Sequence, residues 1–516
     1  MLNYLKQESN LTLTENGALT YRSSQNKCLD FFNGIGASRN STEDEIIKTF
    51  AEAYLENSDM AMKILFFGRD IRGGLGERRV FRLCLQYLAR RNPKSVLKNL
   101  ESVIEFGRYD DVLCLLDTPC EKRVLQLIKE QLEQDKKGIQ VSLLAKWLPS
   151  INTSSLQSKR QGKKIAEALG MTECTYRKTL SNLRRKINIL ENHLREKEYS
   201  FSYEKQPSKA LFKYKSAFIR NDNDRYMDFL SKASSGKAVL KTGSLYPYDI
   251  IRQIIKEDFS LQYHIIRQII NEGFPLQYDY MNDFMQPEEE VITEDMRMAL
   301  DVSWRNLTDY STTRNSIAVI DGSGSMYQSG AGTVRPIDVA VSLGIYFAEH
   351  NTGKFANHFI TFSETPTLVE IKGDNIVEKA KYAAQFNEVA NTDIEKMFDL
   401  LLETAVKNQV PQEELPNFLY IISDMEFDCC AKNSSVTNYE NAKNKFQEAG
   451  YQLPNVVFWN VNCRMKQVPV RMHDSGTALV SGCTPKIFEM VQEGNLNPMD
   501  FMLSIIEGER YSKITA

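Results

Sequence analysis

Residues Asn315–Met326 read NSIAVIDGSGSM, and the fold of the C-terminal half turns on this stretch. A short apolar run ends in Asp321, and Ser323 and Ser325 follow at alternate positions. The run predicts a buried strand that presents the aspartate at its carboxyl end, where open α/β sheets bind ligands. Gly322 and Gly324 free the next loop to turn back closely, so that both hydroxyls face one point. An aspartate with two hydroxyls is a hard oxygen set of the kind Mg²⁺ takes, an ion that keeps several waters and uses few carboxylates. The ordinary reading is a Gly/Ser-rich turn whose Asp or Ser caps the next helix. On this tripartite pattern alone the two readings balance.

Asp321-x-Ser323-x-Ser325 resembles the metal-ion-dependent adhesion site of von Willebrand factor A (vWA) domains. That resemblance implies a threonine farther along and an aspartate at the end of a later strand. Thr392 stands in ANTDIEKMFDLLL, just before a helical apolar pattern, and Asp424 closes NFLYIISD, another β-rich run. The five residues together imply a bound divalent cation, Mg²⁺ by its chemistry. Ser323 and Ser325 would bind directly, and the others directly or through water. In adhesive vWA domains a partner's carboxylate completes the coordination, so a protein partner with an exposed Asp or Glu is implied. Glu426 and Asp428, in DMEFD, stand close by in sequence, either supporting the ligands or as surface and helix-cap residues.

A chain of 516 residues exceeds one ordinary core. Its 42% hydrophobic and 25% charged content is that of a soluble globular protein. No stretch approaches the roughly 18 uninterrupted apolar residues of a membrane span. MLNYLKQESNLTLTENG lacks the basic start and apolar core of a secretory signal. Nine cysteines scattered through predicted helices and strands predict reduced thiols in a cytoplasmic protein. Adjacent Cys429 and Cys430 cannot chelate in the CxxC manner, and Cys463, His473 and Cys483 lack regular ligand spacing, which argues against zinc.

From about residue 42 to 300 the pattern is helix after helix. Thr42-x-x-Glu45 forms a capping box ahead of EDEIIKTFAEAYLEN, and PKSVLKNLESVIEF carries proline in its first turn. Apolar residues recur at three- and four-residue spacing between breaks of Gly, Pro or Asn. Residues 1–310 are therefore predicted to form an α-solenoid of HEAT-like helical repeats. DIIRQIIKEDFSLQY (249–263) is followed at once by HIIRQIINEGFPLQY (264–278), a tandem duplication too short for a solenoid unit. From 311 to 516 short β-rich runs (NSIAVID, FANHFITF, NFLYIISD, NVVFWNV) alternate with helical patterns. That alternation predicts a doubly wound, mostly parallel sheet. The fold class is thus multidomain, α plus α/β.

The segment 157–220 is basic. A helix expected over roughly 173–197 puts Leu180, Leu183, Ile187, Leu190 and Leu194 on one face and Arg177, Arg184 and Arg195 on another. Lys159, Arg160, Lys163, Lys164, Lys178 and Arg185 complete a set that could neutralise phosphates. Tyr199, Phe201, Tyr203, Phe212, Tyr214 and Phe218 interleave with it and could stack unpaired bases. Such faces are more often merely solvated, and Phe218 reads as core. Acidic residues gather at Asp283, Glu288, Glu289, Glu290, Glu294 and Asp295.

Helical repeats followed by a C-terminal vWA domain resemble the Ro autoantigen and its bacterial relatives, the TROVE-module proteins. A TROVE-like family of uncharacterised function is the closer likeness. RDIRGGLGERRVF, FGRYDDVL, LLAKWLPS, YRKTLSNLRRKINILENHL, QPSKALFKYKSAFIRNDNDRYMDFL and ISDMEFD resemble its signatures. The resemblance implies a ring of helical repeats that takes single-stranded RNA ends, a basic outer surface for structured non-coding RNA, and a monomer. Arg69, Arg72, Arg78, Arg79, Arg108 and Lys146 either line such a ring or pair between repeats, the latter favoured for Arg108 beside Asp110 and Asp111.

The chain has no P-loop, GxSxG or HExxH pattern. Two aspartates and three hydroxyls carry too little negative charge for a paired-metal nuclease. The expectation is an RNA-binding scaffold that also takes a divalent cation and a protein partner, and not an enzyme. The alternatives are a metal-dependent adaptor without RNA and, last, an Mg²⁺-dependent phosphoryl-transfer enzyme.

Overall fold

The computed structural model describes residues 10–138, 141–257, 292–310, 315–327, 334–362, 365–386, 393–428, 436–464, 466–491 and 496–516. The chain packs as two compact units, one of residues 1–42 with 212–508 and one of 43–211 with 509–516. The N-terminal segment and the helices after residue 212 bury their apolar faces with the sheet.

The larger unit is built on six strands: β3 (Ser316–Asp321), β4 (His358–Phe362), β5 (Leu368–Glu370), β6 (Phe418–Ser423), β7 (Asn455–Asn460) and β8 (Thr477–Ser481). Their order is β5-β4-β3-β6-β7-β8. All neighbours are parallel except the edge pair β4–β5. From β3 the chain first runs outward to β4 and β5, then returns to place β6 on the other side of β3. The strand order therefore reverses between β3 and β6, the crevice where open α/β sheets take ligands. Every residue of β3 and of β6 is buried, as expected of central parallel strands covered on both faces.

Alternate strand residues enter two separate cores. Ile317, Val319, Leu419, Ile421, Val456 and Phe458 pack with Met397, Phe398 and Phe446 of the helices Ile394–Asn408 and Asn438–Glu448. On the other face Phe347, Tyr420 and Trp459 surround Phe488, with ring centroids 4.8–5.0 Å from it. Here the helix Pro336–His350 lies so close to β3 that a Cβ at Gly344 would stand 2.1 Å from Ile320 Cδ1. The helix Pro247–Glu257, which contains the start of the first repeat copy, packs against Pro336–His350. The second copy lies outside the described residues.

The N-terminal segment joins the same core. A hairpin of β1 (Leu11–Leu13) and β2 (Leu19–Tyr21) sends Ala18 and Tyr21 into the first cluster. Tyr21 and Val468 exchange backbone hydrogen bonds at 3.1 and 2.9 Å. The helix Lys27–Ile35 ends at Gly36, where a Cβ would meet the Ser481 carbonyl oxygen at 2.5 Å. Only glycine lets that helix end approach β8 so closely.

The smaller unit is helical. Glu43–Glu56, Ser58–Arg69 and Arg79–Arg91 pack on one another around Phe50, Phe66 and Phe81. Two expected helices are broken by asparagine. PKSVLKNLESVIEF divides into Pro93–Lys98 and Leu100–Phe106, because Asn99 Nδ2 donates to the carbonyls of Ser95 and Thr515. The helix expected over 173–197 divides into Glu173–Lys186 and Leu190–Glu196. Asn188 between them is left-handed, with φ 51°. Residues 509–516 belong here too: Tyr511 stacks on Phe106, and Arg510 and Tyr511 hold Asp70.

Candidate functional site

Asp321 is the last residue of β3, and Asp424 follows the last residue of β6. Because these strands are parallel neighbours, both carboxylates stand at the same end of the sheet, at the point where strand order reverses. Asp321 is fully buried. Its Oδ1 accepts from the Ser323 amide at 2.8 Å, and its Oδ2 from the Ser423 hydroxyl at 2.5 Å. The amide bond turns the loop back, and the Ser323 and Ser325 hydroxyls lie 3.1 Å apart. After Asp424 the backbone turns sharply at Met425, a non-glycine with φ 68°. Such a conformation is held only where surrounding contacts enforce it, here including the bond from the Met425 amide to Ser423 Oγ at 3.0 Å.

The structure thus brings together Asp321, Ser323, Ser325 and Asp424. Thr392, the fifth expected ligand, lies outside the described residues. Burial pushes the Asp321 carboxyl above the usual carboxylate range, and the charge of Asp424 adds to this against the lowering bonds from Ser423 and Ser323. Asp424 is likewise raised by burial, opposed by Ser325 and Arg464. Its Oδ2 is buried without a hydrogen-bond partner among the described residues, and Arg464 Nη1 stands 3.7 Å away. Two aspartates and two hydroxyls are hard oxygen donors, and an unpartnered buried carboxylate oxygen is what a divalent ion would satisfy. The residues fit such an ion. Among the described residues no three His, Cys, Asp or Glu side chains group as a metal cage.

Glu426 is neither a surface nor a cap residue. It is buried, and it grips the hairpin turn between β1 and β2. Its Oε2 accepts from the Glu15 amide at 2.9 Å, its carbonyl from Asn16 Nδ2 at 2.7 Å, and its carboxylate also from Gln467 Nε2. Thr14 Oγ1 donates to the Phe427 carbonyl at 2.6 Å. Burial raises the Glu426 carboxyl, with Asp424 and Glu15 adding to the shift. Glu15, Ser423, Arg464 and Gln467 are site residues that sequence reasoning did not single out. One signal for Glu15 is present in the sequence: Asn16-Gly17 between LTLTE and ALTY marks a hairpin turn.

The basic segment separates into spent and free cations. Arg184 donates Nε to the Ala145 carbonyl, Nη1 to Ser150 Oγ and Nη2 to the Leu148 carbonyl, so it fastens the end of the short helix Leu144–Trp147 and the turn after it rather than facing solvent. Lys163 pairs with Glu173, Lys164 with Asp117 and Glu121, and Arg195 with Glu196. Lys159, Arg160, Arg177, Lys178 and Arg185 are exposed on the helices Leu156–Ala168 and Glu173–Lys186, which pack together. These five make no ion pair or side-chain hydrogen bond within the described residues. Of the aromatics offered for stacking, Phe201, Tyr203 and Phe218 are buried in core.

The arginines suggested as ring-lining are also largely engaged. Arg69 is 2% exposed and donates Nε and Nη2 to Asp111 Oδ2 at 2.9 and 2.7 Å, while Arg82 holds Oδ1. Arg108 pairs with Asp110 at 3.1 Å, as its sequence neighbours suggested, and lies 4.0 Å over the Trp147 ring. Lys146 pairs with Glu191, and Arg72 donates to the Glu105 carbonyl.

Residues 14–126 and 153–311, over half of the chain, match the family described as Domain of unknown function (DUF2828). The chain belongs to the DUF2828 family. In this DUF2828 member, residues 315–503 also match a second Domain of unknown function (DUF7788). The chain is 28% identical to Uncharacterized protein L728 of Acanthamoeba polyphaga mimivirus, over 97% of this chain and 88% of that protein. The crystal structure of the Ro (RSR) protein of Deinococcus radiodurans is similar at 12% identity, with a TM-score of 0.40, covering 94% of this chain and 100% of that one. No described helix is long and apolar enough to cross a membrane.

Proposed function

We propose that this chain is a Ro-like RNA-binding scaffold whose sheet is a vWA domain with a divalent-cation site. The observation that carries the cation site is the meeting of Asp321, Ser323, Ser325 and Asp424 at the β3–β6 switch point, with one buried Asp424 oxygen unpartnered. Ser323, Ser325 and the two aspartates would hold Mg²⁺, with Thr392 as the fifth ligand. When bound, the ion supplies a Lewis-acidic point to which a partner's carboxylate attaches. The chain's own part is to fix the donors: Ser423 orients Asp321, and the Met425 turn aims Asp424. The role is binding and not catalysis.

RNA is assigned to the helical unit. Lys159, Arg160, Arg177, Lys178 and Arg185 support this reading, since cations free of internal partners are available to neutralise phosphates. Closure of these helices into a ring would make binding depend on a free RNA end.

The test pairs two measurements on the full chain. Calorimetric titration with Mn²⁺ or Mg²⁺ should show one site that is lost in Asp424→Asn. Binding to RNA with a single-stranded 3′ tail should fall steeply with salt. Absence of RNA binding at low salt would leave a metal-dependent protein adaptor.

A further inference from the structure

The loop after β7 carries Arg464 to the rim of the proposed cation site. Its Nη1 stands 3.7 Å from Asp424 Oδ2 and its Nη2 2.7 Å from Glu15 Oε2. Glu15 and Glu426 lie within electrostatic reach of Asp424, and Arg464 acts on all three: it works to lower Asp424 and Glu426 and pairs with Glu15. The N-terminal segment sets where Arg464 can be. Ala37 accepts the Cys463 amide at 3.1 Å on one side of it, and Tyr21 pairs with Val468 on the other. Between these points Gln467 is tied to Glu426, the residue that also grips the Glu15 amide.

We propose that Arg464 is the site's own resident cation, held over Asp424 by Glu15, so that the N-terminal hairpin sets the affinity for the divalent ion. This rests on the cation site proposed above. The guanidinium partly compensates an Asp424 oxygen that has no hydrogen bond. A divalent ion drawn to the same oxygen meets a fixed like charge and must displace or tolerate it. The Glu15 carboxylate gives the part-exposed Arg464 a place to remain when the ion arrives, so the exchange leaves it paired. Occupancy of the site and the Glu15–Arg464 pair are therefore linked through one oxygen.

The experiment is Mn²⁺ binding to the full chain, followed by the electron paramagnetic resonance of free Mn²⁺ and by calorimetry. Wild type, Arg464→Gln, Arg471→Gln and Asp424→Asn are compared. Arg464→Gln is expected to bind roughly tenfold more tightly than wild type. Arg471 pairs with Asp474 and Glu440 and its exchange for Gln should leave the affinity as it was. Arg464→Met keeps the apolar stem and replaces Gln if circular dichroism shows that the first variant is misfolded. Equal affinities of wild type and the Arg464 variants would overturn the resident-cation assignment while the site itself stands. Equal tightening in Arg471→Gln would overturn it too, as a general charge effect. Absence of Mn²⁺ binding in every protein would instead remove the cation site, and this inference with it.

Discussion

Glu15 and Glu426 are 411 residues apart, yet the Glu15 backbone amide donates to Glu426 Oε2 at 2.9 Å. The bond places the N-terminal hairpin against the loop that follows Asp424. Glu426→Ala would leave the Glu15 amide and the Gln467 side chain without their acceptor. Both donors are only part-buried, so each loss should fall near the low end of about 1–3 kcal/mol. The variant should unfold at lower denaturant, and hydrogen exchange should quicken at residues 14–18. Unchanged exchange there would mean that Thr14 and Asn16 suffice to hold the turn.

The helical unit has a different dependence. Asp111 is fully buried and takes Arg69 on one oxygen and Arg82 on the other. Removing Arg69 takes two charge-assisted bonds from Asp111 Oδ2 but leaves the Arg108 amide on that oxygen and Arg82 on the other, so the cost should fall below the about 3–5 kcal/mol of a fully unpaired buried charge. Arg69→Ala should therefore lower the stability of residues 43–211 far more than Arg79→Ala, in an exposed position. Equal urea midpoints for the two variants would refute this.

The alternating strands and helices of the sheet were readable because β3, β4, β6 and β7 are continuous apolar runs ending at polar turns. Asp321 and Asp424 were readable for the same reason, since each closes such a run. β5 is three residues at an edge, too short to stand out by periodicity, and β8, TALVS between Gly476 and Gly482, was not singled out although it is as long as β4. Arg464 and Gln467 have no local signature, because their roles arise from contacts distant in sequence, Arg464 with Glu15 and Gln467 with Glu426. Arg184 shows the converse: its helical position suggested a solvated face, but three acceptors at Ala145, Leu148 and Ser150 claim its guanidinium.

Charge reversal separates these roles. Arg177, Lys178 and Arg185 changed together to Glu should weaken RNA binding and flatten its logarithmic salt slope by roughly 2, at about 0.7 per single-strand phosphate contact. Thermal stability should stay near that of wild type, since these side chains make no internal bonds within the described residues. Arg184→Glu should instead lower stability. RNA affinity untouched by the triple change would put the RNA surface elsewhere.

Asp70 gives the helical unit an acid limit. Burial works to raise its carboxyl, but bonds from Arg510 and from the Gly73 and Arg72 amides outweigh it, and the net shift is downward. A carboxylate depressed on folding contributes stability that is fully present above its unfolded value near 3.9. That contribution is lost as pH falls through the lower folded value. Hydrogen exchange of residues 58–76 should thus accelerate below about pH 4. In Asp70→Asn it should be faster at neutral pH and flat across that window. The same acid response in the variant would assign it to another group.

At Asp321 the proposed cation site would set stability against binding. Its carboxylate is buried beside Asp424, and both are disfavoured in the charged form. Asparagine keeps an acceptor for the Ser323 amide or the Ser423 hydroxyl and removes the like-charge conflict. With EDTA present, Asp321→Asn should melt at or above the wild-type temperature. With Mg²⁺ at a hundred times its dissociation constant, wild type should gain about 2.7 kcal/mol by mass action. The variant, lacking the first ligand, should gain nothing. Parallel gains in both proteins would place the bound ion away from Asp321. A variant that melts well below wild type in EDTA would mean that the carboxylate is needed for the fold itself, with Ser323 and Ser423 depending on its charge.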